Sequence, residues 1–301
     1  MTAAGGTESR ALVVDAHQHF WDPARADYPW MTAELAPIRR RFEPEDLRPH
    51  LAERGIDRTV LVQTRSSLDE TREFSTVAAA TDFVAGVVGW VDLTDPGVSM
   101  TLRALRSSPT GATLVGIRHQ VHDEPDSAWL LRDDVGRGLR AVGEAGLAYD
   151  LLVRTRELPA ALQVVRDFPE IRFVIDHIAK PPIRTRTMDG WATAMAPFSD
   201  RDNVYCKLSG MITEADWSAW RPDDLVPYVR RVLGWFGEDR LMFGSDWPIC
   251  LLAGSYARVF DALLHALGDI SPSARAKILG ENAIRFYRLD ESGRSGMRPL
   301  R

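Results

Sequence analysis

His17 and His19 stand two residues apart in the stretch DAHQHFWD, at the end of a short apolar run, so in an extended chain both imidazoles project from one face. Two neutral imidazoles on one face can hold a divalent metal or handle a proton near neutral pH. Taken alone, such a pair is equally well a capped strand end whose rings satisfy turn hydrogen bonds. The rest of the chain tips the balance. Asp246 closes LMFGSD before a Trp-Pro pair that cannot continue a strand, and His177 and Lys180 follow another apolar run in VIDHIAKPP. A carboxylate in a low-dielectric mouth is paired with a cation or shifted up in pKa, and either suits a general base. An imidazole or a cation nearby suits an oxygen that gains charge.

These residues sit where a particular architecture would collect them. Eight short apolar or β-branched runs, at 12–17, 59–63, 84–92, 114–119, 148–153, 172–177, 203–208 and 240–246, alternate with amphipathic stretches of helical length. The helical stretches are 44–54, 70–80, 96–106, 132–145, 158–167, 225–236 and 256–267, with Gly55, Gly146 and Gly237 as stop signals after three of them. Eight strand-helix units predict a (β/α)8 TIM barrel, closed by helical segments at 273–279 and 282–287. An open doubly wound sheet is the alternative, but no Gly-rich phosphate loop follows the first run.

In such a barrel, catalytic groups come from the carboxyl ends of strands. The ends here carry His17 and His19, Gln63, Trp90 and Asp92, Arg118 and His119, Arg154, His177 and Lys180, Lys207 and Ser209, and Asp246. Ionisable groups are seldom buried unless paired, so their shared position points to one convergent site. Strand alternation places Asp176 on the face opposite His177, hence outward. Trp21 and Trp247, each beside a proposed site residue, offer indole faces for stacking on a sugar ring.

Composition narrows the partners. A 301-residue chain with a net charge of −5 and interspersed charges argues against nucleic acid or an anionic membrane as partner and leaves a small molecule. Two scattered cysteines, Cys206 and Cys250, fit neither a disulfide framework nor a thiolate zinc site, and suit a reducing cytoplasm. No secretory signal or membrane run is present, and no nucleotide cofactor is suggested. Residues 1–10 read as a disordered lead-in, 11–290 as one hydrolase domain and 291–301 as a tail. Trp235 and Phe236 leave a homo-oligomer open.

At its motifs the chain resembles the amidohydrolase superfamily, specifically the amidohydrolase-2 branch of L-fuconolactonase-like sugar lactonases, related to 2-pyrone-4,6-dicarboxylate lactonase. The resemblance rests on DAHQHFWDP (15–23), VGIRHQVHDEPDSAWL (115–130), YDLLVRTRELP (149–159), FVIDHIAKPPI (173–183), NVYCKLSGMITEADW (203–217) and LMFGSDWPICLLAG (241–254). It implies a hydrolase that opens the ester ring of a lactone. By that likeness Asp246 deprotonates the attacking water, and His177, with His19 or Lys180, stabilises the carbonyl oxygen.

Strand five ends in DLLVRT, with neither a histidine nor a lysine placed to form a bridging carbamate, which argues against a two-metal centre. One zinc held by His17, His19 or His177 with Asp246 is chemically reasonable, since it would bring the pKa of bound water toward ~7, but the reading also stands without metal. Trp21, Gln63, Trp90, Arg118, His119, Arg154, Lys180 and Trp247 are the candidate substrate contacts. A polyhydroxylated sugar lactone is favoured over a pyrone dicarboxylate because Gln63, His119, Gln120 and Tyr149 are hydroxyl-binding groups. A zinc-dependent decarboxylase and a catalytically silent barrel are the rival readings.

Overall fold

A computed structural model describes residues 10–290. The chain alternates β1 (Val14–Gln18), α1 (Pro44–Arg54), β2 (Arg58–Val62), α2 (Leu68–Ala80), β3 (Val84–Gly89), α3 (Val98–Arg106), β4 (Leu114–His119), α4 (Asp133–Glu144), β5 (Ala148–Leu151), α5 (Leu158–Asp167), β6 (Phe173–Ile175), α6 (Asp189–Met195), β7 (Val204–Leu208), α7 (Pro222–Phe236), β8 (Leu241–Phe243) and α8 (Tyr256–Leu267). Two further helices follow, α9 (Pro272–Ala276) and α10 (Asn282–Tyr287), joined by a π-helical turn.

The eight strands are parallel and ordered β1 to β8. The ring closes where Asp246 N–H donates to the His17 carbonyl (2.8 Å), His19 N–H donates to the Trp247 carbonyl (2.7 Å) and Gln18 bridges to Trp247. This is the predicted (β/α)8 barrel. Its helix boundaries follow local chemistry. Pro44 occupies the first turn of α1 behind a Glu43–Asp46 capping box, and Gly55 ends that helix in the left-handed conformation. The α6 helix falls in a stretch where no helix is predicted. Its seven residues are too few for a clear period.

One apolar layer lies between strands and helices. A second, with Val14, Ala16, Val60, Val62, Val88, Ala148, Val174 and Met242, fills the barrel against Phe286 and Tyr287 of α10. That plug leaves the opposite, carboxyl end of the strands for polar residues. Of the expected lead-in, residues 1–9 lie outside the described residues, as does the tail 291–301. Arg10 is described and pairs with Asp57 (2.6 Å). Among the described residues no helix is long and apolar enough to cross a membrane.

Candidate active site

Asp246, His17, His19 and His177 meet at the carboxyl mouth of the barrel. One carboxylate oxygen, Asp246 Oδ1, lies 3.3 Å from His19 Nε2, 3.8 Å from His17 Nε2 and 3.9 Å from His177 Nε2. All four side chains are buried or nearly so.

The backbone at these residues is unusual in ways that serve the convergence. Asp246 adopts a φ of 56°, and four consecutive non-glycine residues, His177 to Lys180, have φ between 48° and 58°. Left-handed backbone costs such residues roughly 1–2 kcal/mol each, so surrounding contacts must hold it. Lys180 N–H donates to the His177 carbonyl (2.8 Å), and the Trp191 indole N–H donates to the Ile178 carbonyl (2.7 Å). At the β8 end, Asp15 Oδ1 accepts from the backbone N–H groups of His17 (3.1 Å) and Ser245 (2.8 Å), and its Oδ2 accepts from the Tyr256 hydroxyl (3.0 Å).

The left-handed turn corrects the expectation for Asp176. Val174 faces the barrel interior, so alternation along the strand brings Asp176 inward, and the turn then swings His177 into the mouth as well. Asp176 Oδ2 accepts from Arg118 Nη1 (3.0 Å), and its Oδ1 lies 3.0 Å from Lys207 Nζ and 3.3 Å from His17 Nδ1. Lys207, fully buried, also donates to Asp150 Oδ2 (2.6 Å), which accepts in addition from the Tyr287 hydroxyl (2.7 Å). Two cations and two carboxylates thus form a buried layer beneath the histidines.

These contacts set protonation. Arg118 Nη1 faces His17 Nε2 (3.2 Å) and Lys207 Nζ faces its Nδ1 (3.2 Å), with Asp176 Oδ1 3.3 Å from Nδ1, so the ring is held between two cations and a carboxylate. His19 Nδ1 donates to the Val62 carbonyl (2.7 Å), which leaves the lone pair of Nε2 facing Asp246. His177 Nδ1 lies 2.9 Å from Ser209 Oγ, a hydroxyl that can donate or accept. Burial pushes His17 and His177 well below the usual histidine range and His19 below it, so all three are neutral at pH 7. Burial alone would raise the Asp246 carboxyl, but the charge that His177 and His19 would each take on with a proton, together with Lys180, outweighs it and holds the group below the ordinary carboxylate range.

The cavity above them has a volume of about 150 Å³ and is lined by His19, Trp21, Trp30, Thr64, Arg118, Gln120, His122, Asp123, Leu152, His177, Lys180, Asp246 and Ile249. It is smaller than the ~300 Å³ at which drug-sized sites begin, and suits one small ring. Of the predicted contacts, Trp21, Arg118 and Lys180 face it, with Lys180 Nζ paired to Glu214 (3.1 Å).

Several predicted contacts do not line this cavity. Trp247 is packed edge-on against Phe42 and Phe20 in the core, because the close of the barrel turns its indole away from the mouth. Gln63 is buried beneath the cavity, its Nε2 donating to the Arg118 carbonyl (3.4 Å). His119 stacks on Trp129 and is held by the Trp90 indole N–H (3.0 Å) and Glu124 (2.8 Å), so neither His119 nor Trp90 lines it. Arg154 is exposed and does not line the cavity, though its charge acts on His122 and Asp123 of the cavity wall. Thr64 and Leu152 come from loops and His122, Asp123 and Ile249 from single 3-10 turns, all too short for periodicity to give a direction.

The amidohydrolase family profile Amidohydro_2 matches residues 14–289. The chain belongs to the amidohydrolase family. Within it, the chain is 42% identical over 283 residues to L-fucono-1,5-lactonase of Burkholderia ambifaria, covering 92% of this chain and 96% of that one. It is 36% identical over 292 residues to L-fucono-1,5-lactonase of Burkholderia multivorans, covering 93% and 97%. A crystal structure of a Burkholderia multivorans amidohydrolase with bound zinc superposes with a TM-score of 0.87 at 35% identity, covering 93% of this chain and all of that one. The family match agrees with the resemblance read from the motifs.

Proposed function

We propose that this amidohydrolase opens the ester ring of a neutral sugar lactone of the L-fucono-1,5-lactone type, with residues 11–290 acting as one hydrolase domain. The observation that carries the reading is the convergence of three neutral imidazoles on one oxygen of an ionised Asp246, at the floor of a cavity sized for a single ring. The identity with two L-fucono-1,5-lactonases over nearly the whole chain supports the sugar lactone as substrate class.

The donor set also fits a divalent ion. His19 Nε2 and Asp246 Oδ1 are two lone-pair acceptors only 3.3 Å apart, an arrangement that a cation, a proton or a water must bridge. His17, His19 and Asp246 would hold the metal, with His177 Nε2 beside them 3.9 Å from the same carboxylate oxygen, and zinc is the natural choice for imidazole and carboxylate ligands. When bound, it would supply Lewis acidity to the carbonyl or acidity to a water.

The chain's own residues account for the proton transfers. Asp246 takes a proton from water as the water oxygen bonds to the lactone carbonyl carbon. With Ser209 donating to its Nδ1, His177 presents Nε2–H to the resulting oxyanion, and Lys180 adds positive charge from the cavity wall. Collapse of the tetrahedral adduct breaks the ring C–O bond, and Asp246 returns the proton to the departing hydroxyl oxygen. Trp21 donates its indole N–H to the Ile38 carbonyl (3.1 Å), so its contribution to the substrate is the ring face.

Charge distinguishes a neutral lactone from a pyrone dicarboxylate. Both cations on the cavity wall are already matched, Arg118 by Asp176 and Lys180 by Glu214, while Asp123 and Asp246 add negative charge. An anionic substrate would need arginines free to receive its carboxylates. Turnover of L-fucono-1,5-lactone and related sugar lactones, set beside 2-pyrone-4,6-dicarboxylate, tests this reading. Activity on the sugar lactones supports it, and activity on the pyrone alone overturns it.

A further inference from the structure

Glu70 lies outside the chemistry described above, yet it is a buried carboxylate with only 2% of its surface exposed. The sequence SLDE (67–70) is a capping-box signature, in which Glu70 would return to the Ser67 backbone while Ser67 caps α2. Ser67 does its part, accepting from Glu70 N–H (3.2 Å). The Glu70 carboxylate instead reaches past the cap into the loop after β2. Its Oε2 accepts from the backbone N–H groups of Thr64 (2.8 Å) and Arg65 (3.2 Å), and its Oε1 accepts from the Thr64 hydroxyl.

The Arg65 N–H and the Thr64 carbonyl belong to one planar trans peptide unit and point in opposite directions. Holding the N–H toward Glu70 therefore aims the carbonyl the other way, toward the cavity wall. There it accepts from Trp30 Nε1 (2.9 Å) and from Gln120 Nε2 (3.1 Å). Both side chains line the cavity, one from the loop after β1 and the other from the loop after β4. Ser66 adds a weaker bond to Gln120 Oε1 (3.4 Å).

We propose that Glu70 is a positioning residue for substrate binding, which acts through the Thr64–Arg65 peptide to orient the Trp30 indole and the Gln120 amide against the hydroxyl-bearing face of a sugar lactone. The inference rests on the lactone-hydrolase reading. It assigns Trp30 and Gln120 to recognition of the ring substituents, apart from the groups that act on the ester. Replacing Glu70 by leucine would leave the Thr64 and Arg65 backbone N–H groups, which now share its Oε2, with no acceptor, freeing the peptide to turn.

The test is a steady-state comparison of parent and Glu70→Leu on L-fucono-1,5-lactone and on δ-valerolactone, which has the ring ester and no hydroxyls. The expected result is a rise in KM for the sugar lactone of about tenfold, the size of one misdirected hydrogen bond, with kcat preserved and δ-valerolactone turnover unmoved. A merely structural role would lower the melting temperature and the active fraction, shifting kcat on both substrates and leaving KM alone. Should Glu70→Leu fail to fold, Trp30→Phe, which removes the indole N–H, and Gln120→Met must raise the same KM selectively. An active parent whose KM is unchanged in these variants overturns the inference by itself. A parent inactive on every lactone defeats the lactone reading as well.

Discussion

Replacing Lys207 by methionine should destabilise the barrel strongly although the side-chain volume is nearly conserved. In the folded protein the Lys207 ammonium lies 2.6 Å from Asp150, 3.0 Å from Asp176 and 3.2 Å from His17 Nδ1, with no exposure to solvent. Burial raises the Asp150 carboxyl to about 6 even with Lys207 beside it. Burial would also raise Asp176, but Lys207, His17 and Arg118 outweigh it and hold that group well below the usual range.

Methionine leaves Asp176 with Arg118 and leaves Asp150 with only the Tyr287 hydroxyl. Removing one partner of a buried ion pair costs roughly 3–5 kcal/mol. At about 2 °C per kcal/mol for a chain of this size, the melting temperature should fall by about 6–10 °C. Circular dichroism melts at pH 7.5 measure it. The double variant Lys207→Met/Asp150→Asn removes the stranded charge and should recover about half of the loss, a non-additivity expected only of groups in contact. A single variant that melts within about 2 °C of the parent, or a double variant with simply summed losses, would refute the reasoning.

Gly210, at φ +60°, lies so close to His177 that a β-carbon would stand 2.5 Å from the ring Nδ1. Gly210→Ala should displace the imidazole and break its contact with Ser209, lowering kcat by about 10²-fold, as for ångström-scale misplacement elsewhere; an unchanged kcat would contradict this. Acid should destabilise the protein through its buried histidines. Burial lowers His122 from 6.5 to about 3, so below pH 6.5 the unfolded chain binds a proton that the folded one excludes. The stability from this group is whole above 6.5 and declines by about 1.4 kcal/mol per pH unit between 6.5 and 3. Urea midpoints across pH 7.5 to 5 should therefore fall less steeply for His122→Gln than for the parent, and parallel curves would exclude the effect.

The barrel was legible in the sequence because each strand is a short apolar run bounded by turn chemistry, and because α1 and α8 present side-chain caps and α5 a proline in its first turn. The convergence of His17, His19, His177 and Asp246 was legible because they stand at strand ends, which meet at one mouth of the barrel. Side-chain direction was harder to read. Period-two alternation holds inside a strand and fails where the chain leaves it, and nothing in DHIAK announces four left-handed residues in succession. That is why Asp176 was expected outside and lies inside. Trp247 and His119 show the other gap. An aromatic beside a site residue reads as a contact from sequence, while neighbours distant in the chain, Phe42 for Trp247 and Trp129 for His119, decide which way the ring packs.

The central claim is that Asp246, among three neutral imidazoles, activates water for attack on a lactone. It is tested most directly by proton release from L-fucono-1,5-lactone, catalysed by the parent and by Asp246→Asn at equal, verified fold content. The account predicts rapid hydrolysis by the parent and a loss of about 10²–10⁴-fold in the variant. A folded Asp246→Asn protein that turns over the lactone at close to the parent rate would contradict it.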